Sequence, residues 1–401
     1  MTDRVIIHVG APKTGTSFVQ SVLFDHRFAL ATEGLRYPGD RFDAHFLAAL
    51  DLLQLPWGGL EKEAVGAWDR LVEEVRRPGA LAVISHEILA IATRAQVARA
   101  MASFGDAEVH VVYSARDLVR QIPAEWQENV KHRRRVSYAK FLAKIQDPER
   151  SSRLASWFWG VQEVPDVLAR WGDTLPPERV HLVTVPRPGA PRELLWERFA
   201  GILGIDAERY RPERSRVNAS LGVPESALIR RLNVHAIDRI PPEDYRPLVR
   251  ELLVHQTLSQ RTDSARLALP PDVHAWATEL SETWIEALGK RGYDVIGDLA
   301  ELRPDPPTGD FVDPDAPDEA QVAEAGVEAL AVAVEEAVRL RGVERDLRHE
   351  VDRLHAELQA AYLRPTYRVR EKFVEFAARN RAAAWVYGIY RRARGNSSRE
   401  A

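Results

Sequence analysis

The sequence predicts an α/β protein with a mostly parallel sheet flanked by helices, and two patterns carry this prediction. Four short runs are rich in apolar and β-branched residues, at 4–9, 81–85, 109–114 and 180–185. Each run is apolar on both faces, which is typical of strands buried inside a parallel sheet. Helical patterns lie between these runs, for instance at 66–76, 94–104 and 192–203. Strands that alternate with helices favour an open parallel sheet, in which ligands bind beyond the carboxyl ends of the strands.

The composition excludes several classes of protein. The chain has 401 residues, of which 45% are hydrophobic and 28% charged, as in an ordinary globular protein. No apolar run is long enough to span a membrane, and a net charge of −4 gives no sign of a nucleic-acid partner. The absence of cysteine excludes disulfides, thiolate metal sites and cysteine nucleophiles. The first residues do not have the pattern of a signal peptide, so we expect a cytoplasmic protein.

The amino-acid composition and the predicted structure of the chain change near residue 300. Residues 1–300 form the predicted α/β domain, whose last part, 223–300, reads as mainly helical. The stretch 301–319 is rich in proline and acidic residues, which predicts an extended linker. Residues 320–361 contain no proline and predict a helix. Within it, Leu347, Val351, Leu354 and Leu358 have the 4-3-4 spacing of a coiled coil, which favours a homodimer. A helix packed on the main domain is the alternative.

Residues 362–401 form a basic tail in which ten arginine and lysine residues accompany three glutamates. Aromatic side chains alternate with these cations, as in helices that lie at a membrane surface. Contact with an anionic membrane is therefore one interpretation, and docking on a protein surface is the other.

The loop after the first apolar run, 8–17, has the sequence His-Val-Gly-Ala-Pro-Lys-Thr-Gly-Thr-Ser. A strand, a glycine-bearing loop and a helix start together form an anion site, because backbone N–H groups and the helix dipole converge there. Gly10 and Gly15 have the spacing of the Walker A loop of nucleotide phosphotransferases, but Thr16 stands where that loop has lysine. The lysine is instead Lys13, which disfavours an ATP- or GTP-dependent enzyme.

This loop closely resembles the 5′-phosphosulfate loop of the sulfotransferases that use 3′-phosphoadenosine 5′-phosphosulfate (PAPS). The matching residues are Pro12, Lys13, Thr14, Gly15, Thr16 and Ser17. The resemblance covers roughly residues 4–300 and implies a P-loop-like fold of the kind found in bacterial members of the family. It implies that Lys13 contacts the transferring sulfuryl group and that the threonine and serine hydroxyls bind the 5′-phosphate. It implies PAPS as the donor and no metal.

A second family element follows the strand at 109–114. In the family, an arginine at the strand end and a serine eight residues later bind the 3′-phosphate. Arg116 matches the arginine, whereas Ala124 stands in place of the serine. The residues around it offer four substitutes, namely Arg120, Gln121, Gln127 and Lys131. Among them an arginine suits phosphate well, because a guanidinium donates two parallel hydrogen bonds.

The proton acceptor is expected after the strand at 81–85, where His86 and Glu87 stand side by side. The family uses either histidine or glutamate as base, and the sequence does not rank the two. His45 is a weaker candidate, since a lone histidine on an apolar helix is usually a core residue. Asn218 and Ser220 resemble a late segment of bacterial members that closes over the donor, although Ser220 equally fits a helix cap.

The resemblance implies transfer of a sulfuryl group from PAPS to a hydroxyl or amine. The acceptor is left open among small molecules, glycans, lipids and peptides, because acceptor pockets are built from variable loops. Two alternatives remain: a phosphotransferase that uses ATP or GTP, and a scaffold without catalytic activity, which Ala124 favours.

Overall fold

The sheet is the centre of the fold. The computed structural model describes residues 2–191, 193–211, 220–363 and Lys372. The strands in these residues are β1 Thr2–His8, β2 Leu35–Arg36, β3 Gly79–Ser85, β4 Glu108–Ala115, β5 Val180–Thr184 and β6 Asp294–Ile296. They form one sheet in the order β2-β3-β1-β4-β5-β6, and every neighbouring pair is parallel. The predicted parallel α/β architecture is confirmed.

Helices cover the sheet and continue beyond it. The α-helices are α1 Thr16–Asp25, α2 Arg27–Thr32, α3 Ala44–Leu53, α4 Leu60–Glu63, α5 Ala67–Val75, α6 Arg94–Ala102, α7 Leu118–Lys131, α8 Tyr138–Ile145, α9 Arg153–Gln162, α10 Val164–Gly172, α11 Leu194–Leu203, α12 Val223–Ala236, α13 Pro242–Tyr245, α14 Pro271–Gly289 and α15 Glu319–Leu363. A π-helix spans Arg246–Thr257, and short 3₁₀ turns span Glu87–Ile91, Pro177–Arg179, Leu258–Gln260 and Leu299–Leu302. The long helix predicted near the C-terminus is present as α15.

Successive side chains of β1 enter two different apolar cores. Val5 and Ile7 pack into the larger core, and Ile6 packs into a smaller one with α1 and α11. All three side chains are fully buried. A strand covered by helices on both faces has no solvent side, which explains why its sequence is apolar throughout rather than alternating.

The sequence analysis did not predict the two edge strands. β2 has two residues and β6 has three. Segments this short carry no measurable alternation, so only their pairing with β3 and β5 identifies them.

The chain divides into two compact units, Met1–Ala329 and Leu330–Ala401. In the first unit, the acidic segment 303–318 is irregular and lies against the α/β part. The Asp315 carboxylate accepts hydrogen bonds from the N–H groups of Tyr138 (3.0 Å) and Ala139 (2.9 Å) at the start of α8. A carboxylate at a helix N-terminus is favourable, so here the stretch predicted as an extended linker is anchored.

In the second unit, the apolar side chains predicted to form a coiled coil are 49–60% exposed, namely Leu347, Val351, Leu354 and Leu358. Among the described helices, none is both long and apolar enough to cross a bilayer. The predicted basic tail lies outside the described residues except for Tyr362, Leu363 and Lys372.

Candidate functional site

Three segments predicted separately meet at the carboxyl edge of the sheet. β1 lies between β3 and β4, with His8 opposite both Ser85 and Val112. The His86 N–H donates to the His8 carbonyl oxygen at 3.1 Å, and the Ala11 N–H donates to that of Ser114 at 2.9 Å. The strand order reverses here, which is where open α/β sheets bind their ligands.

The loop after β1 ends at a glycine that no other residue could replace without strain. Gly15 has φ 87° and is the N-cap of α1. A β-carbon at this position would lie 2.5 Å from Cδ2 of Leu195 on α11. The first turn of α1 contains no acidic residue, and the first N–H groups of a helix have no intrahelical acceptor. The start of α1 is therefore a suitable anion site.

The hydroxyl groups of the loop differ in their exposure. The Thr14 hydroxyl is buried and donates to the Ala11 carbonyl oxygen at 2.6 Å. Thr16 is buried at the first position of α1, whereas Ser17 is exposed. Thr14 thus stabilises the loop itself, and Ser17 is the hydroxyl that an incoming ligand reaches most directly.

Two glutamines hold the loop from outside. The Pro12 carbonyl oxygen accepts hydrogen bonds from Gln121 Nε2 on α7 (2.7 Å) and from Gln162 Nε2 on α9 (3.2 Å). Gln162 also donates to Glu125 Oε1 at 2.9 Å. Burial raises the pKa of Glu125 to about 7, although the nearby Lys13 opposes the shift. Sequence reasoning missed Gln162 and Glu125, because nothing in a lone glutamine or glutamate on a helix marks it as a partner of a distant loop.

Lys13 points towards α7. Its Nζ lies 2.5 Å from Glu128 Oε2. Glu128 also contacts His132 Nε2 at 3.0 Å and Arg250 Nη2 at 3.4 Å. Burial alone raises the pKa of Glu128, but the hydrogen bonds and charges of His132 and Lys13 outweigh it and hold the pKa far below its usual range. Glu128 is therefore an ionised partner that keeps Lys13 in place.

Arg116 follows β4 directly, and its hydrogen bonds within the described residues leave some guanidinium N–H donors unused. Its Nε donates to Gln121 Oε1 at 2.9 Å and its Nη2 to the Arg120 carbonyl oxygen at 3.1 Å. It forms no ion pair within the described part of the chain. Burial lowers the pKa of this guanidinium to about 10, and the neighbouring Arg120 adds to the shift. An unpaired, largely buried guanidinium favours an anionic ligand.

Arg120 lies one turn into α7. It pairs with Asp117, whose carboxylate also caps the helix by accepting the Arg120 N–H at 2.9 Å. Its Nη1 donates to the Pro186 carbonyl oxygen at 3.2 Å, while its Nη2 is buried and finds no partner in the part of the chain that the structure describes. A buried donor without an acceptor is costly, so both arginines have hydrogen bonds left to offer.

His86 and Glu87 have different surroundings. His86 Nδ1 accepts the Ile88 N–H at 3.3 Å and so caps the 3₁₀ turn, and its ring stacks on Phe46 at 5.0 Å. Glu87 Oε2 accepts from Gln20 Nε2 at 3.1 Å, which ties it to α1. Burial lowers the pKa of His86; for Glu87 burial acts to raise the pKa, but the charge of His86 and the Gln20 hydrogen bond hold it below its usual value.

His45 is part of the core. Its Nε2 donates to the Pro38 carbonyl oxygen at 2.7 Å, and its Nδ1 accepts the Ser85 N–H at 3.0 Å. Burial lowers its pKa to about 4. With both ring nitrogens engaged, His45 has no lone pair for a substrate.

Of the late segment, only Ser220 can be placed, because Asn218 lies outside the described residues. Ser220 is exposed. The N-cap of α12 is Gly222, so Ser220 does not cap that helix. The next residue, Leu221, forms two hydrogen bonds with the side chain of Gln127 on α7. Gln127 Nε2 donates to the Leu221 carbonyl oxygen (2.9 Å), and Gln127 Oε1 accepts from the Leu221 N–H (3.2 Å). The segment is thus attached to the helix that carries Arg120 and Glu128.

The described residues contain no group of three histidine or acidic side chains arranged to hold a metal ion. An open groove lies at the opposite edge of the sheet and is lined by Arg4, Leu81 and Glu108, near the amino ends of β1, β3 and β4. It lacks the loop and helix start described above, which is why we assign the site to the carboxyl edge.

The fold is similar to two solved structures of sulfotransferases. One is a sulfotransferase from Alicyclobacillus acidocaldarius, with 17% identity and a TM-score of 0.44 over 76% of this chain and 99% of that one. The other is the sulfotransferase domain from the curacin biosynthetic pathway, with 12% identity and a TM-score of 0.29 over 51% of this chain and 75% of that one. No family model matches the sequence, and neither does any curated protein.

Proposed function

We propose that this protein transfers a sulfuryl group from PAPS to a hydroxyl or amine of an acceptor, in line and without a metal. The observation that carries the proposal is the position of Lys13, in a loop that leads into the start of α1 and is linked through Gln121 to Arg116. Arg116 has no ion pair among the residues that the structure describes. The loop sequence resembles the donor loop of this enzyme class, and the start of α1 and Arg116 are two separate groups of donors suited to anions.

The donor would be held by residues that have free hydrogen-bonding capacity. The N–H groups of Thr16 and Ser17, with the Ser17 hydroxyl, are suited to the 5′-phosphate. Arg116 is suited to the 3′-phosphate, and the buried, unpartnered Nη2 of Arg120 supplies a donor where the family has serine and this chain has Ala124. PAPS supplies the activated sulfuryl group.

In the reaction, the acceptor oxygen or nitrogen forms a bond to sulfur while the bond from sulfur to the 5′-phosphate oxygen breaks. The electron pair stays on that phosphate, giving adenosine 3′,5′-bisphosphate. Lys13 stabilises the developing charge, as preorganised donors do.

The acceptor's proton passes to a base. Glu87 is the better base, because Nδ1 of His86 is occupied by the Ile88 N–H. In neutral His86 the proton then sits on Nε2, which leaves no lone pair.

The test compares ligands and turnover. Calorimetry should show binding of adenosine 3′,5′-bisphosphate without Mg²⁺ and tighter than ATP. Transfer from sulfur-labelled PAPS onto a cell extract should fall about 10²- to 10³-fold in Lys13→Ala, while Lys140→Ala, an exposed lysine on α8, should match the wild type. Tighter binding of ATP with Mg²⁺ would favour the phosphotransferase, and binding of the bisphosphate without any transfer would favour the scaffold.

A further inference from the structure

Lys131, the last residue of α7, is an unusual lysine. Its side chain is buried, with a relative exposure of 7% for the residue. Among the described residues it has neither a hydrogen bond nor an ion pair. Burial lowers its pKa to about 8, although the Glu128 charge opposes the shift. The side-chain nitrogen is not among the fully shielded polar atoms of the described residues, so the buried part is mainly the apolar stem, and the ammonium remains available to an anion that enters from solvent.

The neighbours of Lys131 add to the positive charge. Arg250, from the π-helix, directs Nη1 to His132 at 3.0 Å and Nη2 to Glu128 at 3.4 Å. Its Nε is buried and has no hydrogen-bond partner among the described residues. π-helical turns are rare and are frequently found at functional sites. Glu128 thus carries ion pairs with both Lys13 and Arg250 and also attracts Lys131 electrostatically.

His132 Nε2 cannot form a hydrogen bond with both of its neighbours at once. This nitrogen lies 3.0 Å from both Glu128 Oε1 and Arg250 Nη1. A neutral nitrogen that accepts from Arg250 has no proton for Glu128, and a protonated one that donates to Glu128 repels Arg250. One of the two contacts is always unsatisfied, and an anion bound to Arg250 would relieve it.

The position along α7 separates this cluster from the two arginines near its start. Arg120 and Lys131 are eleven positions apart, which is about 16 Å of helix. Gln121 reaches the loop at Pro12 and Glu128 reaches it at Lys13, so Lys131 lies on the far side of Lys13 from Arg116. One end of α7 thus suits the donor's 3′-phosphate, and the other end remains for a different group.

We propose that Lys131 and Arg250, with His132, bind an oxyanion of the acceptor, so that the substrate is an alcohol or amine that already bears a carboxylate, sulfate or phosphate. This inference rests on the proposed function. The anion would orient the acceptor relative to Lys13, and it would supply the counter-charge that Lys131 and the Arg250 Nε lack. The 3′-phosphate of the donor is also an oxyanion and could bind the same residues. The experiment below distinguishes an anion of the acceptor from the donor's 3′-phosphate.

The experiment uses inorganic sulfate as the probe. The full-length protein is saturated with adenosine 3′,5′-bisphosphate and titrated with sodium sulfate at constant ionic strength. We expect one sulfate per chain, bound about tenfold or more weakly in Lys131→Met and in Arg250→Gln, as for the loss of a charged hydrogen bond. The exposed Lys140→Met is the matched control and should bind as the wild type does. Without sulfate, Lys131→Met should melt at a higher temperature than the wild type, because partial burial and the charges of Lys13 and Arg250 disfavour the Lys131 ammonium.

Two results would overturn the inference. Sulfate binding that is equal in the wild type and Lys131→Met would mean an adventitious ion only. A tenfold loss of bisphosphate affinity in Lys131→Met would assign the cluster to the donor's 3′-phosphate. If the wild type does not bind the bisphosphate, the proposed function fails. The sulfate titration of the unliganded protein then still tests Lys131, because the variant should bind one sulfate fewer.

Discussion

Lys13 Nζ and Glu128 Oε2 lie 2.5 Å apart, which joins the loop after β1 to the third turn of α7. The carboxylate fixes the direction of the lysine, but it also repels the anion that the loop is suited to bind. We predict that Glu128→Gln binds adenosine 3′,5′-bisphosphate about three- to tenfold more tightly, the size of a partly screened charge interaction of ~1 kcal/mol. Turnover should nevertheless fall, because Lys13 loses its orientation. Calorimetry that shows unchanged or weaker binding would contradict this account of the pair.

Arg116 is predicted to recognise the 3′-phosphate of the donor. Arg116→Ala should weaken binding of adenosine 3′,5′-bisphosphate about tenfold or more, the effect of a lost charged hydrogen bond. Adenosine 5′-phosphate should bind within about twofold of the wild type, because it lacks the group that Arg116 contacts. The control is Arg153→Ala, an exposed arginine at the start of α9. An equal loss for both nucleotides would show that Arg116 does not read the 3′-phosphate.

The base is predicted to be Glu87. Glu87→Gln should lower turnover about 10²- to 10⁴-fold, the usual contribution of general base catalysis, with donor affinity nearly unchanged. His86→Asn should have a smaller effect, because His86 caps the 3₁₀ turn and lies beside Glu87 without a free lone pair. Steady-state transfer from labelled PAPS measures both variants. The opposite order of the two effects would make His86 the base.

Protein stability should depend on pH through His8. This residue is fully buried between Ser85 Oγ (2.9 Å) and Ser114 Oγ (3.2 Å), and burial lowers its pKa from 6.5 to about 4. The folded protein therefore binds fewer protons than the unfolded chain between pH 6.5 and 4, so stability falls as the pH falls through this window. The loss from His8 is at most about 3 kcal/mol.

Denaturant unfolding at several pH values tests this dependence. His8→Gln should reduce the slope of the unfolding free energy against pH between 6.5 and 4, while the exposed His349→Gln should leave the slope unchanged. The same slope in wild type and His8→Gln would mean that His8 does not titrate with unfolding.

The exposed apolar residues of α15 are predicted to join two chains. Leu354→Glu should convert a dimer to a monomer in analytical ultracentrifugation, because a charge at a seam position is not tolerated in a coiled coil. Ala356→Glu lies two residues away on the outer face of the same heptad and is the control. A wild-type protein that sediments as a monomer at micromolar concentration would contradict the coiled coil.

The sequence was sufficient for the central strands and for helices α5, α6, α11 and α15, because each is long enough to show its own pattern. β1, β3, β4 and β5 begin and end within two residues of the apolar runs that predict them. β2 and β6 could not be predicted, since strands of two and three residues exist only through pairing with a neighbour. Likewise, no sequence pattern in the segment 303–318 predicts that the Asp315 carboxylate accepts a hydrogen bond from the start of α8.

At the site, the sequence by itself determined the local parts: an anion loop with Lys13, an arginine after β4, and His86 and Glu87 after β3. Each of these parts is formed by residues that are close together in the sequence, so the residue types and their short spacing are enough to predict it. Only the tertiary structure decided the partners. It placed Glu128 on Lys13, Gln162 on Pro12 and Gln20 on Glu87. Such contacts join residues 67–150 positions apart, and which of many similar side chains meet is set by how the helices pack on the sheet.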